Sequence, residues 1–235
     1  MEAEIRGGLR LVAWSAAFGV ALHLGSRHLA TAAQRRRLLA GLVLGAVAAR
    51  GGFFALHAEV LAAHPHLHLD PAAGYSVLFV PLGLLLVAPW RRGGAALHAY
   101  LQGALSCLPL ALAVARLGCF AAGCCPGLPT DRAWGLRWAP AASSLHPVAL
   151  YEVAGLCGLA ASLERVPQRL RPGLALAGVG ALRGIVEAWR APSPLGVPLV
   201  SAHWIAGAWV VLGLVLATCV ARPSPSPRVP GSLRT

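Results

Sequence analysis

The chain has no lysine and no asparagine, so all 20 of its basic residues are arginine. With the abundance of Ala, Gly and Arg, this reads as the codon bias of a GC-rich genome. Charge is scarce: 12% of residues are Asp, Glu, Lys or Arg, about half the roughly 25% of soluble domains. Hydrophobic residues make up 57%, and mean hydropathy is +0.66. These figures argue against an ordinary soluble fold. Acids number 8, which leaves a net charge of +12. In a soluble protein that excess would suggest nucleic acid. Here the arginines lie between apolar runs, which suits membrane orientation and no nucleic-acid partner. No internal repeat is visible, which places a small transporter low. No linker is long enough for a second domain. No cleavage pattern follows Glu2 and Glu4, so Leu9 onward is expected to be a retained span.

What is present is a series of apolar runs. A span needs about 20 apolar residues, and about seven candidates occur: Leu9–Leu24, Leu38–Leu61, Tyr75–Trp90, Ala95–Ala115, Pro147–Leu163, Leu174–Trp189 and Leu199–Val220. The expected fold is an all-α polytopic membrane protein with about seven transmembrane helices and an outward-facing loop pocket. Residues 1–221 are expected to form one integral membrane domain. The tail 222–235 (RPSPSPRVPGSLRT) is rich in Pro and Ser and is expected to be disordered. The loops after spans 1, 3 and 5, with the tail, hold Arg27, Arg35, Arg36, Arg37, Arg91, Arg92, Arg165, Arg169, Arg171, Arg222, Arg228 and Arg234. Among the acids only Glu164 joins that side. Arginine-rich loops stay cytoplasmic, so the N-terminus is expected outside and the C-terminus inside.

The densest stretch runs from Arg116 to Glu152: RLGCFAAGCCPGLPTDRAWG, a spacer, then HPVALYE. Charge at membrane depth is costly, so it points to function by default. Arg50, Arg116 and Arg183 fall on the outer side, and three converging guanidiniums require anionic partners. A lipid phosphate suits the planar guanidinium fork. Arg183, Glu187 and Arg190 are spaced i, i+4, i+7 and share one helix face. For Arg190 an internal ion pair near the interface is an equal reading. Gly118, Gly123 and Gly127 allow a close backbone approach or a turn, and irregular backbone at this depth suggests a re-entrant pocket. Cys119, Cys124 and Cys125 can be metal ligands, a disulfide or small packing residues. No paired C-x-x-C supports zinc, and packing is preferred. His64, His66, His68 and Asp70 form a His-rich loop, read as exposed in preference to metal-binding. His146 before Pro147 is either a helix start or a candidate base. Glu152 is expected to pair with an outer arginine.

These residues resemble the signature of prolipoprotein diacylglyceryl transferases, which has the form G-R-[IL]-G-N-F-x-x-G-E-x-x-G-x-P-T followed by H-P-x-x-L-Y-E. Arg116-Leu117-Gly118, Phe120, Gly123, Gly127, Pro129-Thr130, His146-Pro147 and Leu150-Tyr151-Glu152 match it. Ala49-Arg50-Gly51-Gly52 looks like the family's A-R-[VL]-G, and Arg183 to Arg190 looks like its R-F-x-x-E-x-x-R. Seven spans with the N-terminus outside is also the family's topology. The resemblance implies transfer of a diacylglyceryl group from phosphatidylglycerol to the lipobox cysteine of a prolipoprotein signal peptide, in the bacterial inner membrane, without cofactor or metal. It implies catalytic roles for Arg116, Arg183 and His146. It implies substrate-binding roles for Arg50, Gly118, Cys119, Gly123, Gly127, Tyr151, Glu152, Glu187 and Arg190.

The chain also departs from the pattern. The family's H-G-G should fall within Ser76-Val77-Leu78-Phe79-Val80-Pro81, which has no His and no Gly. The family's span 1 tyrosine would fall near Val12. Cys119 stands at the signature Asn, and Cys124 at its acidic residue. A catalytically inactive phospholipid-binding protein of the same fold is the alternative.

Overall fold

A cap decides where the second helix begins. Thr31 accepts from the Gln34 backbone N–H and its own N–H donates to Gln34 Oε1, both at 3.2 Å, a reciprocal capping box. In the computed structural model, which describes residues 2–63, 65, 75–137, 143–191 and 199–220, helix α2 therefore spans Ala32–Leu56. Arg35, Arg36 and Arg37 lie on its first turns and not in the loop ahead of it. Helix α1 is Glu2–Ser26, and the short α3 is Ala58–Ala63. A 3-10 turn at Val77–Phe79 leads into α4 (Val80–Leu86). The remaining helices are α5 (Gly94–Leu105), α6 (Leu108–Ala121), α7 (Val148–Leu163), α8 (Arg171–Glu187) and α9 (Leu199–Val220). The expected all-α fold is observed, with no strand among the described residues. The His64, His66, His68 and Asp70 loop and the tail 222–235 lie outside the described residues.

Four helical segments are long and apolar enough to cross a membrane: Ile5–Ser26, Ala32–Leu56, Gly94–Ala121 and Ala202–Cys219. The third runs through α5 and α6. Pro109 sits in the first turn of α6, where its missing N–H interrupts the helical ladder and divides the segment. Helices α7 and α8 have 16 and 17 residues, so at 1.5 Å per residue they reach about 24–26 Å, short of a bilayer core of about 30 Å. The expected span at Tyr75–Trp90 is helical only over Val77–Leu86, about 15 Å long. Pro81 sits inside it, in the first turn of α4, and Pro89 follows its end. It packs closely on α2, since a Cβ on Gly83 would lie 2.0 Å from the Gly45 nitrogen.

The α5–α6 segment is the hub. Of its most apolar window 67% is buried, against 17% for α1 and 22% for α9. Tyr100 is fully buried, and its hydroxyl donates to the Leu84 carbonyl at 2.9 Å. Val12, Val47, Trp204 and Val211 stand exposed on α1, α2 and α9. So large an apolar surface is what a lipid-facing rim requires. The hub thereby holds Arg116, on the last turns of α6, away from that rim.

Candidate active site

Three helix ends meet at Glu152. Its carboxylate lies one turn into α7 and is 4% exposed. Arg116 Nε, from α6, is 2.8 Å from Oε2. Arg183 NH1, from α8, is 3.3 Å from Oε1. Arg190 NH2, just past α8, is 3.4 Å from both oxygens. Glu187 pairs with Arg183 one turn away and with Arg190 Nε at 3.3 Å, so the predicted shared face of Arg183, Glu187 and Arg190 forms. Three guanidiniums against two carboxylates leave one surplus positive charge. Desolvation costs several kcal/mol per ion, which this pairing offsets only in part. Arg183 Nε is also buried without a hydrogen-bond partner. The cluster thus has both a charge and a donor available for an anion.

The connection from α6 to α7 is shaped by two glycines. Gly123 takes φ +62° just after α6 and turns the chain, a conformation costly for other residues. The next residues run back as a strap. Leu128 N–H donates to the Trp189 carbonyl at 2.9 Å, and Ala191 N–H to the Pro126 carbonyl at 3.2 Å. This ties the loop to the segment that carries Arg190. Gly127 is required there because a Cβ would lie 2.3 Å from the His146 carbonyl oxygen. Gly118 lies against a helix: its Cβ would meet Ala13 Cβ at 2.0 Å, so it lets α1 and α6 touch.

His146 joins a separate chain of contacts. Its Nδ1 is 2.9 Å from the Tyr151 hydroxyl, which also accepts from Trp134 Nε1 at 2.8 Å. The Tyr151 ring stands edge-on to Trp189 at 6.2 Å. In the tautomer where Nδ1 donates to Tyr151, Nε2 is left as a basic nitrogen. None of the ion pairs of Glu152 or Glu187 involves His146. Trp134 was not singled out by sequence, although it lies within the signature stretch.

Cys119, Cys124 and Cys125 come together, their Sγ atoms all within 4.8 Å of one another. All three are free thiols. Arg116 NH1 points at Cys119 Sγ at 3.8 Å. The adjoining Cys119 and Cys124 thiols hold Cys125 well below the ordinary thiol range against the opposing effect of burial, with the Arg190 and Arg116 charges adding to the lowering.

Two spaces lie along α6, and Arg116 lines the smaller of them. A cavity of about 30 Å³ is lined by Arg116, Glu152 and Arg183 together with Val77, Leu78 and Pro81. It has room for a water or two, so a headgroup must displace side chains to enter. Val77, Leu78 and Pro81 come from the segment where the family's H-G-G is missing. That segment is pinned in place, as Ser76 N–H donates to the Ala49 carbonyl at 2.9 Å and Trp209 Nε1 to the Leu78 carbonyl at 2.6 Å. The second space is an apolar cleft of about 370 Å³ between α1, α2 and α6, lined by residues including Trp14, Phe18, Tyr75, Leu112 and Ala115. Its size is that of a small-molecule site. Leu112 borders both spaces.

One expected member of the cluster lies elsewhere. The Arg50 guanidinium sits over the rings of Phe54 and Tyr75, at 4.9 and 5.2 Å, whereas the ion pairs of Glu152 and Glu187 run to Arg116, Arg183 and Arg190. Arg190 is the third converging guanidinium. Residue spacing showed that Arg190 shares a face with Arg183, but it could not show which helix supplies the third partner.

A family model described as prolipoprotein diacylglyceryl transferase matches residues 9–219. The phosphatidylglycerol–prolipoprotein diacylglyceryl transferase of Cupriavidus metallidurans is 32% identical over 121 residues, which cover 46% of this chain and 45% of that protein. The matched region thus spans a little under half the length of this relative. The match to the family model runs through the whole site, from α1 to α9, and on that ground the chain belongs to the prolipoprotein diacylglyceryl transferase family.

Proposed function

We propose that this chain transfers a diacylglyceryl group from phosphatidylglycerol to the thiol of a prolipoprotein lipobox cysteine, in the inner membrane of a bacterium. The observation that carries this reading is the buried cluster of three guanidiniums and two carboxylates, with its surplus positive charge and the partnerless Arg183 Nε. In the reaction a thiolate attacks the glyceryl carbon. A C–S bond forms, the C–O bond to phosphorus breaks, and its electron pair leaves with glycerol-1-phosphate. Negative charge grows on the departing phosphate, where Arg116 and Arg183 stabilise it. Glu152 holds the guanidiniums at the correct spacing between turnovers. His146 Nε2 takes the thiol proton, with Tyr151 and Trp134 fixing the ring. A free thiol has a pKa of about 8.5, so a base raises the reactive fraction. The apolar cleft beside Leu112 takes acyl chain. Residues 1–221 act as one membrane domain, with the N-terminus outside and the 222–235 tail in the cytoplasm.

A second reading is a phospholipid binder without transfer activity. It is favoured by Val77, Leu78 and Pro81, which line the cavity where the family carries H-G-G. The two readings are separated by expressing the chain in a bacterium depleted of its own transferase and weighing a reporter prolipoprotein. A diacylglyceryl adduct on the lipobox cysteine is expected. Phosphatidylglycerol binding with an unmodified reporter would establish the second reading instead.

A further inference from the structure

Cys119, Cys124 and Cys125 carry no chemical step of the transfer reaction proposed above. Their spacing, C-x4-C-C, resembles no common zinc pattern, yet the fold brings the three sulfurs within 4.8 Å of one another. A zinc ion takes thiolates at about 2.3 Å, which sets three sulfurs about 3.8–4.0 Å apart. Closure by about 1 Å or less would complete the site. Two features of the backbone hold the three residues together at the end of α6. The Cys124 N–H donates to the Cys119 carbonyl at 3.0 Å, folding the loop onto the end of α6. Cys125 is the one non-glycine residue with positive φ among those described, at 61°. That conformation is costly for an L-residue and is kept only where the surroundings enforce it.

The charges agree. Three thiolates and one divalent cation carry a net −1, next to a cluster with a net +1, and Arg116 NH1 already faces Cys119 Sγ. An all-sulfur set with no carboxylate or imidazole selects soft metals over Mg²⁺ or Ca²⁺. A cavity of about 10 Å³ borders Cys124 and Cys125, the room of one water as a fourth ligand. We propose that Cys119, Cys124 and Cys125 form a three-thiolate site for a soft cation of the zinc class, completed by water. Binding there sets a negative group beside Arg116, at the position of the family's acidic signature residue. The site rests on sulfur geometry and stands whether or not the chain transfers diacylglyceryl groups.

The test uses the full chain in detergent, reduced with a phosphine and then dialysed against zinc chloride, with bound zinc counted by elemental mass spectrometry. One zinc per chain is expected. The Cys124→Ser/Cys125→Ser double variant should lower zinc affinity at least about tenfold, while Cys157→Ser/Cys219→Ser, outside the cluster, should not. In the wild type, zinc should shield Cys119, Cys124 and Cys125 from maleimide, as read by peptide mapping. That pattern decides the matter if the double variant fails to insert. Absence of stoichiometric zinc, zinc retained by the double variant, shielding of other residues, or a disulfide within the trio forming in place of zinc uptake would overturn the proposal.

Discussion

Glu152 matters most among single residues, because it faces Arg116, Arg183 and Arg190 at once. Glu152→Gln leaves three buried guanidiniums against the single carboxylate of Glu187, a surplus of two. Breaking a buried ion pair in this way costs about 3–5 kcal/mol. The variant should insert poorly and melt well below the wild type in detergent, as followed by the tryptophan fluorescence of thermally scanned protein. An unchanged melting temperature would remove Glu152 from the centre of the cluster. At this scale much could be read from sequence. The pairing of Glu152 with an outer arginine was expected, and so was the shared face of Arg183, Glu187 and Arg190. The pairs of Glu152 with Arg183 and Arg190 bridge 31 and 38 residues of chain, and spacing rules reach only neighbouring turns of one helix. That range explains both the misplaced Arg50 and the unexpected convergence of the three cysteines.

At the scale of elements, helices meet through small residues. Gly118 lets α6 approach α1, and Gly173 and Gly213 let α8 approach α9, where a Cβ on Gly173 would lie 2.5 Å from the Gly213 carbonyl oxygen. Packing of this kind is how helices associate where lipid removes the hydrophobic drive. Gly118→Val should therefore act on stability and not on chemistry. Overpacking costs about 1–3 kcal/mol, and the yield of folded protein should fall while activity per folded molecule holds. A loss of specific activity at full stability would return Gly118 to the lipid-binding role its motif implies. The helical class and most helix positions were legible in the apolar runs. Boundaries were not, where caps and prolines override hydropathy. The Thr31 box starts α2 earlier, and the expected third span ends at Leu86, short of Pro89. Hydropathy counts apolar residues and cannot tell a helix that spans from a short one packed against its neighbour.

At the scale of the whole molecule, an exposed apolar rim surrounds a buried hub whose one end carries the charged cluster. The hub supplies Arg116, the α7 start supplies Glu152, and the strap between residues 126–128 and 189–191 carries Arg190 to them. The same arrangement places Val77, Leu78 and Pro81, in the segment of the missing family motif, against Arg116 and Arg183. In the proposed reaction the guanidinium cluster stabilises the phosphate as it departs. The most direct measurement combines the purified chain, phosphatidylglycerol micelles and a lipobox peptide, and follows the peptide by mass for wild type and Arg116→Ala. A thioether-linked diacylglyceryl peptide is expected with the wild type. Folded Arg116→Ala should react at least about 100-fold more slowly, as for loss of one donor to a developing oxyanion. Equal rates for the two proteins, or no adduct from folded wild type, would contradict it.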